Sequence, residues 1–148
     1  GPRLRIVEAG VLRLAQRDST GSAASISARL LELDRDFREI LARTRPALVA
    51  VEGLFAHYKH PATAIAMGHA RGVLLLAIRA FDLPLVELKP ASVKKSLTGF
   101  GRAEKAQMQR AIQLEFNLAA PPEPPDVADA LAIATCAALR AASSPLRA

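Results

Sequence analysis

The chain has 148 residues, 51% of them hydrophobic and 23% charged, with one cysteine and no tryptophan. That length suits one domain with a real core. No apolar run reaches the ~18 residues that span a membrane, and a single Cys excludes a disulfide framework and fits a reducing compartment. Twenty Lys and Arg against fourteen acids leave a net charge of +6, which favours a polyanionic partner over an acidic one.

Residues 4–14, LRIVEAGVLRL, mix β-branched and polar residues in rough alternation and read as a strand. The small, polar stretch after it reads as a loop. From Ser27 to Thr44, Leu30, Leu33, Phe37, Ile40 and Leu41 recur at the helical period with charge on the opposite face, predicting an amphipathic helix that Pro46 stops. The apolar run ALVAVEGLF, bounded by Pro and Gly, predicts a strand buried on both faces, with Glu52 at its C-terminal end. Pro61 opens a long helix whose Ala66, Gly68, Ala70 and Gly72 permit close packing. LPLVEL then reads as a strand and KPASVKKSL as a short helix with Pro90 in its first turn. TGFG reads as a glycine turn and RAEKAQMQRAIQLEF as a helix to about Phe116. After the prolines at 121–125, DVADALAIATCAALR forms the last helix, with Cys136 as a small core residue. Alternating strands and helices indicate one α/β domain over 1–148, with parallel pairing wherever a helix crosses over.

Three carboxylates stand out. Sites in parallel sheets form at the carboxyl ends of strands, where Glu52 lies, and an ionised Glu ending an apolar strand needs a partner or an ion to offset its desolvation. Asp126 and Asp129, three apart on a helix, share a face. Hard oxygen ligands suit Mg²⁺ or Mn²⁺. Equally, Asp126 after two prolines could be an N-cap, with Asp129 favoured by the helix dipole. Lys94, Lys95, Arg102 and Lys105 flank the glycine turn that feeds a helix N-terminus, an arrangement suited to phosphate or to a solvated basic face. Phe55, taken alone, is a core residue or a stacking platform. His57, His60 and His69 offer H-x-x-H without a fourth ligand, so no zinc site is expected.

VAVEGLF, AMGHARGV, VKKSLTGFGRAEKAQMQ and DVADALAIA, in this order and spacing, resemble RuvC, the Holliday junction resolvase family of bacteria, from about Val7 to Arg140. The resemblance implies an RNase H-like α/β fold and a homodimer formed through the helix around Met67–Leu76. It further implies cutting of four-way DNA junctions with Mg²⁺, or alternatively Mn²⁺, in recombination and repair, alongside branch-migration proteins and in the bacterial cytoplasm at the nucleoid. Residue by residue, Glu52 matches the family's strand-end Glu, and Asp126 and Asp129 its paired C-terminal acids, all three as metal ligands. Phe55 matches a Phe that stacks on bases. Lys94 and Lys105 match lysines that support phosphate binding and catalysis, and Lys95 and Arg102 join them as DNA contacts.

The family opens with a strand bearing an Asp in a D-x-G turn, then a hairpin partner, whereas this chain opens on what resembles the third strand. Glu8 in E-A-G imitates that turn but leads straight into the following loop and helix, so it is not read as a substitute. The expectation is a truncated mixed sheet of about three strands with a strained edge, lacking one metal ligand and cutting weakly. Two rivals follow: a module of the same fold that grips junctions without cutting them, and a small α/β interaction protein whose acids only cap helices.

Overall fold

The computed structural model describes residues 3–53 and 60–144, and in these it places five helices and two short strands. Helix α1 spans Ile26–Thr44, strand β1 Val49–Glu52, helix α2 Pro61–Ala80, strand β2 Leu85–Leu88, helix α3 Pro90–Thr98, helix α4 Lys105–Glu115 and helix α5 Pro125–Ser143. Three of the helices begin on proline, whose fixed φ suits a first helical position and whose missing N–H is one that the helix would leave unbonded anyway. The other two use side chains. Ser25 Oγ accepts the Ala28 N–H at 3.2 Å to start α1. At the start of α4, Glu104 and Gln107 bond each other's main-chain N–H groups reciprocally.

The two strands are parallel. The Val49 N–H donates to the Pro84 carbonyl and the Gly53 N–H to the Leu88 carbonyl, so the register advances equally along both strands, as the intervening helix requires. The expected third strand is not formed: residues 4–14 make no ladder, and Val7 is 83% exposed. Their apolar alternation is real, but a strand also needs an adjacent edge and a covered face, and neither is provided. The expectation that β1 is buried on both faces is corrected as well, since Val49, Ala50 and Val51 are half-buried and Glu52 is exposed.

By its contacts the chain divides into two compact units. In one, α1 packs on α2, burying Leu33, Leu41, Ala77 and Ile78. That unit also holds a tight turn in which Asp18 Oδ1 accepts the Thr20 and Ser22 N–H groups and the Thr20 hydroxyl. The other unit contains α3, α4 and α5 with the end of β1 and most of β2. Its interior is made of Leu88, Val93, Ala103, Met108, Ile112 and the inward face of α5, Val127, Ala128, Ala132, Thr135, Cys136 and Ala137. Among the described residues no aromatic ring is buried there, and alanines let the helices approach closely.

Helix α2 corrects one exclusion. Its 20 residues are long and apolar enough, by length and composition, to cross a membrane. It nevertheless carries His69, Arg71 and Arg79 and packs against α1.

Candidate active site

In the unit built on α3–α5, four elements surround a cavity of about 190 Å³. The end of β1 contributes Glu52, and the Gly53 N–H bonded to the Leu88 carbonyl at 2.8 Å fixes that strand end. The helices contribute residues at one-turn spacing, the pattern that puts side chains on a single face. They are Pro90, Val93 and Lys94 from α3, Lys105 and Met108 from α4, and Asp129, Ala132 and Ile133 from α5. Val93, Met108 and Ala132 are buried and form an apolar floor. Two carboxylates and two ammonium groups join it. Glu52 and Lys105 are exposed, while Lys94 and Asp129 are half-buried. A mostly apolar cleft with a few convergent charges is the usual form of a binding site.

Glu52, Asp129, Lys94 and Lys105, distant in sequence, therefore line one cavity. The reason given for Glu52 from sequence does not hold, because an exposed carboxylate keeps its hydration; its position at the strand end is what brings it here. Asp126, one turn before Asp129, is exposed and does not line the cavity. It is also not an N-cap: that position is Pro124, leaving Asp126 as the second helical residue. Lys95 and Arg102 are exposed and likewise off the lining. Among the described residues, no three His, Cys, Asp or Glu side chains stand together as an ion-holding group. Phe55 and His57 lie outside the described residues. His60 directly precedes α2 and His69 lies on it.

Sequence reasoning missed the apolar floor. Its signal was present in the one-turn recurrence of Pro90, Val93 and Lys94 and of Asp129, Ala132 and Ile133. It also passed over Phe100, which stands exposed in the glycine turn between α3 and α4.

Comparison with known proteins is consistent along the chain. The family model described as crossover junction endodeoxyribonuclease RuvC matches residues 1–137. The RuvC of Rhodopirellula baltica is 45% identical over 136 residues, covering 92% of this chain and 73% of that protein. The RuvC of Chloroflexus aggregans is 43% identical, covering 90% and 82%. Among solved structures, Thermus thermophilus RuvC superposes with a TM-score of 0.72 at 33% identity, covering 80% of this chain and 71% of that one. The same protein in complex with a Holliday junction substrate gives 0.74. The fold is thus the expected RNase H-like α/β type, and the chain belongs to the RuvC family of crossover junction endodeoxyribonucleases.

Proposed function

We propose that this protein is a nuclease that cuts DNA at four-way crossover junctions, and that the cavity bounded by Glu52, Lys94, Lys105 and Asp129 is where the phosphodiester is hydrolysed. The observation that carries the assignment is the meeting of those four charges, from four separate elements, around one apolar floor. The donor set fits a hard divalent cation, which takes one or two protein carboxylates and completes its shell with water and phosphate oxygens. Glu52 and Asp129 would hold it; Asp126, a turn earlier on α5 and off the lining, is assigned as a further donor through the family resemblance alone. Mg²⁺ is the proposed ion and Mn²⁺ the alternative. When bound, such an ion supplies Lewis acidity and charge neutralisation at the scissile phosphate.

The chain's own cations do the rest. Lys94 and Lys105 offer compact ammonium charges to phosphate oxygens, and the floor of Val93, Met108, Ala132 and Ile133 keeps bulk water from one side, strengthening each charge. Lys95 and Arg102, outside the cavity, hold the DNA backbone on its approach. Phe55 is assigned to base stacking through the family resemblance.

Two symmetric strands call for two sites, and α2 supports a homodimer. Ile65, Gly68, Gly72 and Leu76 recur at one-turn spacing, with Ile65 60% and Leu76 63% exposed and open space beside both glycines. Glycines there let a second copy's backbone come close. Association with branch-migration proteins is proposed on the family's account alone.

The alternative of a module that grips junctions without cutting is not favoured, because the relatives share an endonuclease identity and Glu52, Asp129, Lys94 and Lys105 are gathered at one cavity. Incubation of a synthetic four-way junction with the protein and Mg²⁺ is the test. Paired, symmetric nicks are expected, and Glu52→Gln or Asp129→Asn should slow them by at least about a hundredfold, since even residues that merely support a metal ligand cost 10–100-fold. Binding without cutting by the wild type, or unimpaired cutting by either variant, overturns the assignment.

A further inference from the structure

We propose that Phe100 is a DNA-contacting residue that stacks on a nucleobase at or beside the crossover, a role that rests on the function proposed above and adds a residue to it. Phe100 is 71% exposed, the most exposed aromatic ring among the described residues. Its main chain, by contrast, is held from both sides. The Thr98 hydroxyl donates to the Lys94 carbonyl at 2.7 Å and its oxygen accepts the Phe100 N–H at 3.1 Å. Gly99 takes φ +83°, a left-handed conformation that glycine adopts without strain, and its N–H closes α3 on the Lys95 carbonyl. On the other side, the Phe100 carbonyl accepts the N–H of Ala103, a residue buried to 3% exposure. An ordered turn thus presents a large apolar ring to water, which a stacking platform needs and a surface loop does not.

The surroundings select the ligand. From Lys94 to Lys105 the chain carries four cations, Lys94, Lys95, Arg102 and Lys105, and one acid, Glu104, whose carboxylate is occupied by the Gln107 N–H. A flat apolar face set among cations matches a base face flanked by phosphates, the combination by which single-stranded and unpaired nucleotides are held. The turn also joins the two helices that bring Lys94 and Lys105 to the cavity, so a base caught on Phe100 fixes the register of the strand that passes the acids. Bases inside a duplex are covered by their neighbours, whereas a four-way junction held open leaves the base pairs at its centre without a stacking neighbour on one side. The residue therefore favours junctions over duplex.

The chain contains no tryptophan, so Phe100→Trp introduces its only indole. Titration of that variant with a four-way junction, without divalent ion, should quench the indole emission, while inorganic polyphosphate should not. In parallel, Phe100→Leu keeps the apolar bulk and removes the π face. Its Kd for the junction, read by fluorescence anisotropy, should rise about tenfold or more, as loss of one base–aromatic stack predicts, whereas Phe100→Trp should bind like the wild type. An indole that does not respond to DNA, or a Phe100→Leu protein that binds like the wild type, overturns this inference alone. A Phe100→Leu protein with altered sedimentation and unchanged Kd does so too, by placing the ring at a protein contact. A wild type that fails to bind a junction overturns the proposed function and this inference together.

Discussion

Asp18 shows how a single carboxylate organises a loop. Hydrogen bonds from the Thr20 hydroxyl, and then from the Thr20 and Ser22 N–H groups, hold its carboxyl below the usual Asp range. A depressed carboxylate stabilises the fold above its unfolded pKa, and that contribution is lost as the pH falls through the lower folded value. The turn should therefore be fully ordered at neutral pH and loosen only in acid. An NMR titration should find the Asp18 carboxyl titrating below ordinary Asp, and Thr20→Val should raise it; an Asp18 that titrates at the ordinary value in the wild type would refute this reading. At the candidate site the lysines are more easily tested by salt. Lys105→Ala should weaken junction binding for all sequences alike and lower the slope of log K against log salt by about one, as loss of one phosphate contact predicts. Single residues were unevenly legible in the sequence. Asp129 and Lys105 could be singled out by motif, but that Asp129 rather than Asp126 lines the cavity depends on the first turn of α5, which Pro124 and Pro125 set and which the sequence reading left open between capping and ligation.

At the scale of elements, the helices were legible because each has a chemical start and a periodic face. α1 is the clearest case, with Ser25 at its N-cap, Leu33 and Leu41 buried on one side and the Asp34–Arg38 pair, 2.8 Å apart, one turn apart on the surface. Such a half-exposed pair contributes little. The cap contributes more, and Ser25→Ala should lower the unfolding free energy by about 1 kcal/mol in urea denaturation with an unchanged m-value. Residues 4–14 show the opposite case. Leu4 and Ile6 are half-buried while Val7, Val11 and Leu12 are exposed, so the alternation that suggested a strand is only partly used. Strand formation depends on a neighbour supplied from elsewhere in the chain, and local pattern carries no information about that neighbour. β1 and β2, linked by a helix that crosses between them, supply each other's neighbour and were read correctly as strands.

At the scale of the whole molecule, the net charge of +6 and the four linked motifs made nucleic acid and the family readable before any coordinates. What composition could not show is where apolar surface is left uncovered. The α2 stripe of Ile65, Gly68, Gly72 and Leu76 is the largest consequence, and Leu76→Glu should shift the protein towards monomer in analytical ultracentrifugation while α2 keeps its packing on α1 through Ala77 and Ile78. A monomeric wild type would refute the proposed dimer. Helix α5 has a different consequence. Its underside, Ala128, Ala132 and Cys136, is sealed at 0–1% exposure, and its flank carries Asp129. Extra bulk at 128 or 136, which are fully buried and off the cavity, would press the helix away from its neighbours, and a shifted helix displaces the acid. Natural selection on DNA cutting would thus restrict the size of side chains that never meet DNA, and neutral drift would be pushed outward, to positions such as Leu114, 68% exposed.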